Sequence, residues 1–291
     1  CIRDRVRIAE SINVMSKSLG PAMKERNPKP IQEMAIKQQE KGAEVLDLNI
    51  GPARKQGDEM MEWMVKTVEE VSDLPLSLDT TNAVAMEAGL KTVTKAKPII
   101  NSISLQPERM EIMLPMVTKY NAQMVALLWG KEGMPRDTNE RALMATELVY
   151  ACNEAGIQNE DIYIDPIVSP VSVEINQVLS CLEFMSMLGD IAPGAKSTVG
   201  LSNISNGTPD ELRGYLNRCY MVMLNKYGTL YSAIVDAFDD ELTALATDGM
   251  SEICDLVWKM MDGVDPDMSS LSEKELEYAK TTRVLLGKTL Y

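Results

Sequence analysis

Asp47 and Asn49 stand two residues apart in VLDLNIGP (45–52), among Val45, Leu46, Leu48 and Ile50, which suit a strand packed on both faces. A period of two puts both polar side chains on one face. A carboxylate buried there without partners would be costly, so the polar face needs a purpose. Other apolar runs end in the same way. The first closes with Glu10, Ser11 and Asn13, and the third with Asp79 followed by Asn82. The fourth carries Asn101, Ser102 and Ser104, and the sixth has Asp165 before Pro166. The seventh carries Ser202, Asn203, Ser205 and Asn206, and the eighth ends at Asp236.

A single Asp or Asn after a strand commonly caps the next helix or turns the chain. Only the run MVALLW (124–129) lacks a polar end, and so uniform a pattern is hard to assign to capping alone. Asp47, Asn101 and Asn203 have apolar or strand-forming residues on both sides, which places them inside strands. The set is rich in Asp and Asn and poor in Lys and Arg, so phosphate is a poor ligand. A flat heterocycle with a donor-rich edge suits it, because carboxylates accept and Asn both donates and accepts.

The sequence has no histidine. That excludes Ser-His-Asp and Cys-His catalysis, H-E-x-x-H zinc sites and any metal or cobalt ligated by this chain's histidines. Proton transfer must then fall to Asp, Glu, Lys or Tyr, or catalysis must rest on hydrogen-bond positioning.

The elements that must position these groups alternate along the chain. Strands are expected at 6–12, 45–50, 75–79, 98–104, 124–129, 162–168, 197–204 and 232–237. Helices are expected at 29–43, 58–72, 83–93, 107–120, 139–156, 174–188, 209–228 and 239–261, from apolar residues at three- and four-residue spacing. Eight β-then-α units of about 32 residues each are the size of βαβ units, and eight of them make a (β/α)8 TIM barrel. An open doubly wound sheet would alternate similarly but usually carries a glycine-rich first turn, which the first turn here lacks. SEKELEYAKTTRVLLGKTL (272–290) reads as one appended helix. The expected division is a barrel domain over 1–265 and a C-terminal helical extension over 266–291. In the barrel reading the polar strand ends form a cup at the C-terminal mouth, where this fold places its binding groups.

The formal charge of −14 argues against nucleic acid and anionic membrane surfaces. No apolar run approaches the length of a membrane span, and no signal peptide is evident. The sequence starts with Cys, so a few preceding residues are expected to be missing. Cys1, Cys152, Cys181, Cys219 and Cys254 have neither metal-ligand nor redox spacing, which suggests reduced, mostly buried thiols in a cytoplasmic protein.

Taken together, ESIN (10–13), GAEVLDLNIGP (42–52), EWMVKTVEEVSDLPLSLDTTN (62–82), the strand IINS around Asn101, EDIYIDP (160–166) and TVGLSNIS (198–205) resemble a known family. It is the pterin-binding methyltransferases that move a methyl group between tetrahydrofolate and a corrinoid, with methyltetrahydrofolate:corrinoid/iron–sulfur-protein methyltransferase the nearest likeness. The folate domain of cobalamin-dependent methionine synthase and dihydropteroate synthase look more distant. The resemblance covers about residues 6–260.

It implies that Asp79, Asn101 and Asp165 hold the aminopyrimidine ring of the pterin. It implies that Asn203 reaches the methyl-bearing N5 as the catalytic residue, flanked by Gly200 and Ser202. Asp47 and Asn49 match the second-strand motif, Ile234 an apolar wall, and Glu10 and Asn13 the first-strand motif, all on the folate side. It further implies a corrinoid (cobalamin) carried by a separate corrinoid-binding partner, a homodimer, and no metal held by this chain. The direction of methyl transfer stays open. Two departures stand out. Ser11 replaces the usual first-strand arginine, and the loop NGTPDELR (206–213) differs in length, which leaves Arg213 unassigned. The C-terminal helix lies outside the family core. The alternatives are a non-catalytic pterin-binding subunit and a dihydropteroate synthase-like enzyme. The latter would need a basic diphosphate site near the last strand, where SAIVDAFDDEL (232–242) offers acids.

Overall fold

In the computed structural model, which describes residues 5–289, eight parallel strands form one sheet. They are β1 (Val6–Ala9), β2 (Val45–Asn49), β3 (Leu76–Asp79), β4 (Ile99–Ser104), β5 (Gln123–Leu127), β6 (Ile162–Asp165), β7 (Lys196–Ser197) and β8 (Ser232–Val235). The order is β7-β6-β5-β4-β3-β2-β1-β8, so the ends of the series are β7 and β8. These two close the ring with few hydrogen bonds. Ser232 Oγ donates to Ser197 O at 2.9 Å, Tyr231 N to Ser197 Oγ at 2.9 Å, and Ile234 N to Val199 O at 2.8 Å. Gly200 and Ile234 form an isolated parallel bridge.

Helices α1 (Leu19–Lys24) and α2 (Pro28–Glu40) follow β1. Then come α3 (Gly57–Glu69), α4 (Ala83–Thr92), α5 (Pro107–Lys119), α6 (Thr138–Glu154), α7 (Ile175–Ile191) and α8 (Asp210–Leu224), one after each of β2 to β7. After β8 come α9 (Asp240–Asp248), α10 (Ser251–Met261) and α11 (Glu273–Leu285). The result is the expected TIM barrel with an added C-terminal helix.

The strand alternation sorts the core into two parts. Leu46 and Leu48 of β2, Leu76 and Leu78 of β3 and Ile100 of β4 join the large apolar cluster shared with the helices. On the other strand face, Ile8, Val45, Ile99, Val125 and Tyr163 form a separate buried cluster, one residue from each of five strands. That cluster fills the barrel interior near the strands' N-terminal ends. Two residues further along β2 and β4 stand Asp47 and Asn101, so the interior changes from apolar to polar toward the C-terminal mouth.

Three expectations need correction. The seventh run, read as a strand over 197–204, is a strand only at Lys196–Ser197, and Leu201–Ser205 wind into a 3-10 turn. Asn203 therefore lies on a turn and not within a strand. The helix expected over 239–261 is two helices. Gly249 (φ 83°) and Met250 (φ 31°) take left-handed backbone between them, and Gly249 ends α9 at little steric cost. The first strand stops at Ala9, so Glu10 to Asn13 lie beyond it. Helix α1 was not anticipated. Cys1 and residue 290 lie outside the described residues, while Cys152, Cys181, Cys219 and Cys254 are buried thiols.

Candidate active site at the barrel mouth

The ladder brings the polar residues of three neighbouring strands into one row. Asn49 pairs with Asp79 and Asp79 with Asn101, while Asp47 pairs with Ser77 one step deeper. Side chains then link across the strands. Asn49 Nδ2 donates to Asp79 Oδ2. Ser77 Oγ donates to Asp47 Oδ1 at 2.6 Å, and Asn101 Nδ2 donates to the same oxygen at 3.2 Å. Asn49 Oδ1 accepts from Gly51 N at 2.9 Å, so this side chain works at both ends to aim Asp79.

Burial pushes the Asp47 carboxyl well above the usual carboxylate range, and the neighbouring Asp79 adds to the rise. Asp79 is pushed up to about 6, chiefly by burial, against the opposing pull of the Asn49 hydrogen bond and the Arg109 guanidinium. Asp165, at the end of β6, is also pushed to about 6 by burial, partly offset by Ile167 N donating to its Oδ1 at 2.9 Å. Ile167 has φ 64°, unusual for a β-branched residue. The turn that presents Asp165 thus holds a residue in a disfavoured conformation.

The opposite side of the mouth is built differently. Ser202 Oγ donates to Glu10 Oε1 at 2.5 Å and ties the 3-10 turn to the chain leaving β1. Burial raises the Glu10 carboxyl, the Ser202 bond lowers it, Asp236 raises it and Arg213 lowers it. Arg213 lies in α8, near enough to Glu10 to act on its charge. Asn203 is exposed, and its Oδ1 accepts from Asn206 Nδ2 at 3.2 Å. A Cβ on Gly200 would sit 3.0 Å from Asn203 Nδ2, so the missing side chain makes room for that amide. Ile234 is half-buried beside Gly200.

A cavity of about 820 Å³ opens on the β3–β5 side, lined by Asp79, Asn101, Arg109, Ile112, Leu127 and Trp129 among others. The ladder carries this wall onward, since Leu127 of β5 pairs with Asp165. Asp165, Glu10 and Asn203 do not line this cavity but stand further round the mouth.

The structure thus joins Asp47, Asn49, Asp79 and Asn101 in one network, and Glu10 with Ser202 in another. Some polar strand ends have the local role that capping predicts. Asn82 Oδ1 caps α4 by accepting from Val84 N at 2.9 Å, and Asn13 Oδ1 accepts from Met15 N at 2.8 Å. Ser11, where the resemblance leads one to expect arginine, gives its backbone N to Gln38 Oε1 at 2.9 Å. Two contributors were not anticipated. Ser77 was legible as a polar residue two before Asp79, on the same strand face. Arg109 sits in the first turn of α5 and had no local signal. Among the described residues no group of three acidic, Cys or His side chains could hold a metal ion.

A family model described as pterin binding enzyme matches residues 9–217. The chain belongs to the pterin-binding enzyme family. Among its relatives is the methylcorrinoid:tetrahydrofolate methyltransferase of Eubacterium limosum, 26% identical over 84% of this chain and 90% of the relative. The methionine synthase of Mycobacterium tuberculosis is 27% identical over 76% of this chain, which spans only 19% of that much longer protein. The barrel is also shared with dihydropteroate synthases. That of Xanthomonas albilineans with 7,8-dihydropteroate superposes with TM-score 0.64 at 20% identity, over 90% of this chain and 95% of the other. That of Thermus thermophilus superposes with TM-score 0.63 at 19% identity, over 85% of this chain and 95% of the other. At such identity these two show the fold alone. No described helix is long and apolar enough to cross a membrane.

Proposed function

We propose that this member of the pterin-binding family is a methyltransferase acting between N5 of tetrahydrofolate and the cobalt of a corrinoid carried by a partner protein. The observation that carries the reading is the relation, nearly end to end, to the methylcorrinoid:tetrahydrofolate methyltransferase of Eubacterium limosum. The mouth geometry fits it. In this reading Asp79 and Asp165 accept from the N–H edge of the aminopyrimidine, Asn101 adds an amide, Asp47 and Asn49 hold that wall from behind, and Ile234 is the apolar wall. Glu10, Asn13, Gly200 and Ser202 shape the other side.

The corrinoid supplies the cobalt that gives or takes the methyl group. This chain has no histidine to ligate it, which fits a corrinoid held by the partner. Transfer is a displacement at carbon. In one direction the N5–carbon bond breaks and its electron pair stays on N5; in the other, the N5 lone pair forms that bond. Both directions pass through one transition state, so the same residues serve either. Asn203 acts by donating from Nδ2 to N5 as charge develops there. Its Oδ1 is engaged by Asn206, which supports Nδ2 as the outward donor. A preorganised donor of this kind is worth about 2.7–4 kcal/mol.

The reading includes a homodimer, which rests on the family resemblance alone, and a cytoplasmic location, supported by four buried thiols. It also keeps residues 266–291 as an extension of a barrel domain over 1–265. The acids near β8 disfavour a diphosphate site, because Asp239 and Glu241 both engage Arg218 of α8. The test mixes the purified protein with methyltetrahydrofolate and a series of reduced corrinoid proteins, and runs the reverse reaction, following the cobalt absorbance. Stoichiometric methyl movement with at least one partner is expected. Folate binding without methyl movement to or from any of them would mean a non-catalytic pterin-binding subunit.

A further inference from the structure

Arg109 is a large cation set against the carboxylate wall of the cavity, and its contacts are unlike those of a surface arginine. Nε donates to Ser102 O at 3.0 Å and Nη2 to the same oxygen at 2.6 Å. Nη2 also donates to Thr80 O at 3.2 Å, and Nη1 to Thr81 O at 2.8 Å. Ser102 follows Asn101 directly, and Thr80 and Thr81 follow Asp79. One guanidinium therefore grips the main chain immediately beyond both pterin-wall side chains. It is half-buried and lines the same cavity. A planar fork with five donors suits this task, and an ammonium does not.

We propose that Arg109 is a positioning residue for the pterin: its fork locks the chain after β3 to the chain after β4, and its charge keeps Asp79 an ionised acceptor. The inference rests on the pterin-site reading given above. Arg109 need not touch the ligand for either effect. The groups that face Asp79 are Asn49 and Asp47 of β2 and Arg109 of α5; Glu10 acts on the charge of Asp47, and Glu108 and Lys131 line the same cavity. Of these, the Asn49 hydrogen bond and the Arg109 charge favour ionisation of Asp79, against its burial. Burial lowers the Arg109 pKa while Asp79 raises it, the reciprocal sign of the same interaction.

The two effects separate by substitution. Arg109→Met removes charge and fork together, whereas Arg109→Lys keeps the charge and loses the fork. Folate affinity is measured by calorimetry from pH 5 to 8 on both variants, on wild type and on Asp79→Asn, with melting curves to show that each is folded. In wild type, affinity should fall as the pH drops through about 6, where Asp79 and Asp165 both take up protons, and Asp79→Asn shows the Asp165 share alone. Arg109→Met should weaken binding about tenfold at pH 7 and move that midpoint upward by about one unit. Arg109→Lys should weaken binding several-fold at all pH values and leave the midpoint near that of wild type. At saturating folate neither variant should change the transfer rate more than a few-fold. A purely structural role would lower stability without moving the midpoint. Folded Arg109→Met with wild-type affinity and midpoint would overturn the proposal. If Arg109→Met does not fold, Arg109→Lys still decides: unchanged affinity across the range would overturn the fork, and a shifted midpoint the charge. Asp79→Asn separates the two levels of argument. If Asp79→Asn binds folate normally, the pterin-site reading fails; if it weakens binding while the Arg109 variants do not, only this inference fails.

Discussion

The β2–β4 arc of the barrel mouth and the β7–β8 arc are built to different standards of rigidity. On the first, strands pair in register up to Asp79 and Asn101, and Asp47, Asn49 and Ser77 are tied into hydrogen bonds within the sheet. Buried polar groups fixed in this way are preorganised before any ligand arrives. On the second, β7 has two residues, closure rests on Ser197 and one bridge, and Asn203 is exposed with a single amide partner. On the proposed function this difference is a division of labour. The more tightly bonded arc suits ground-state binding of a flat ring. The looser arc suits a contact that tightens only as charge develops, and only such a contact raises the rate at saturating substrate.

The comparison breaks most sharply at Asn203. Asn203→Ala should stay folded and lose about 100- to 1,000-fold in kcat, with folate affinity much less affected. Steady-state transfer assays with a corrinoid partner check this, and a folded variant above about a third of wild-type kcat would remove Asn203 from the mechanism. The rigid arc and its neighbour Asp165 should answer in the other quantity. Asp79→Ala and Asp165→Ala should each weaken folate binding by about 1.5–3 kcal/mol, a factor of roughly ten to a hundred, with kcat changed little. Equal affinity by calorimetry in both variants and wild type would rule out their placement.

Gly200→Ala should have a smaller effect. Its Cβ would crowd Asn203 Nδ2 at 3.0 Å, so kcat should fall about tenfold through displacement of that amide. A wild-type rate in this variant would mean that the amide has room to spare.

The smallest expected effect is on stability. Asp79 and Asp165 have folded pKa values of about 6, above the ordinary aspartate value near 4. The folded state therefore binds more protons than the unfolded state between about pH 4 and 6. The share of stability that these two groups supply without ligand is fully present below that window and is lost as the pH rises through about 6. Asp165→Asn should flatten its share of this dependence in chemical denaturation measured at each pH, and an unchanged slope would show that Asp165 is not held above its ordinary value.

The division between the arcs also shows what was legible in the sequence. β2 was readable because alternation is local: Leu46 and Leu48 face the helices, and Asp47 and Asn49 the interior. The barrel followed from the repeated β-then-α unit. The seventh strand was misread because Thr198, Val199 and Leu201 have strand-like side chains, while local hydrogen bonds win further on. Ser205 Oγ donates to Ser202 O and Thr208 Oγ1 to Ser205 O, which turns the chain. The break at Gly249 had a signal in Asp248–Gly249–Met250, but the apolar spacing ran through it. Arg109 could not be found in PERMEIML, because its partners are backbone carbonyls of two other segments, brought near only by the fold.

The division of labour is tested most directly by a double-mutant cycle on Asn203→Ala and Asp79→Ala, with folate dissociation constants and single-turnover transfer rates at saturating folate taken on the same four proteins. If one arc binds and the other acts in the transition state, Asn203→Ala should slow the transfer by the same factor in both backgrounds, and Asp79→Ala should weaken binding by the same factor in both, each within about twofold. If Asp79→Ala abolishes the rate effect of Asn203→Ala, or if both substitutions weaken binding alone and leave the transfer rate unchanged, the two arcs do not divide the work and the account is wrong.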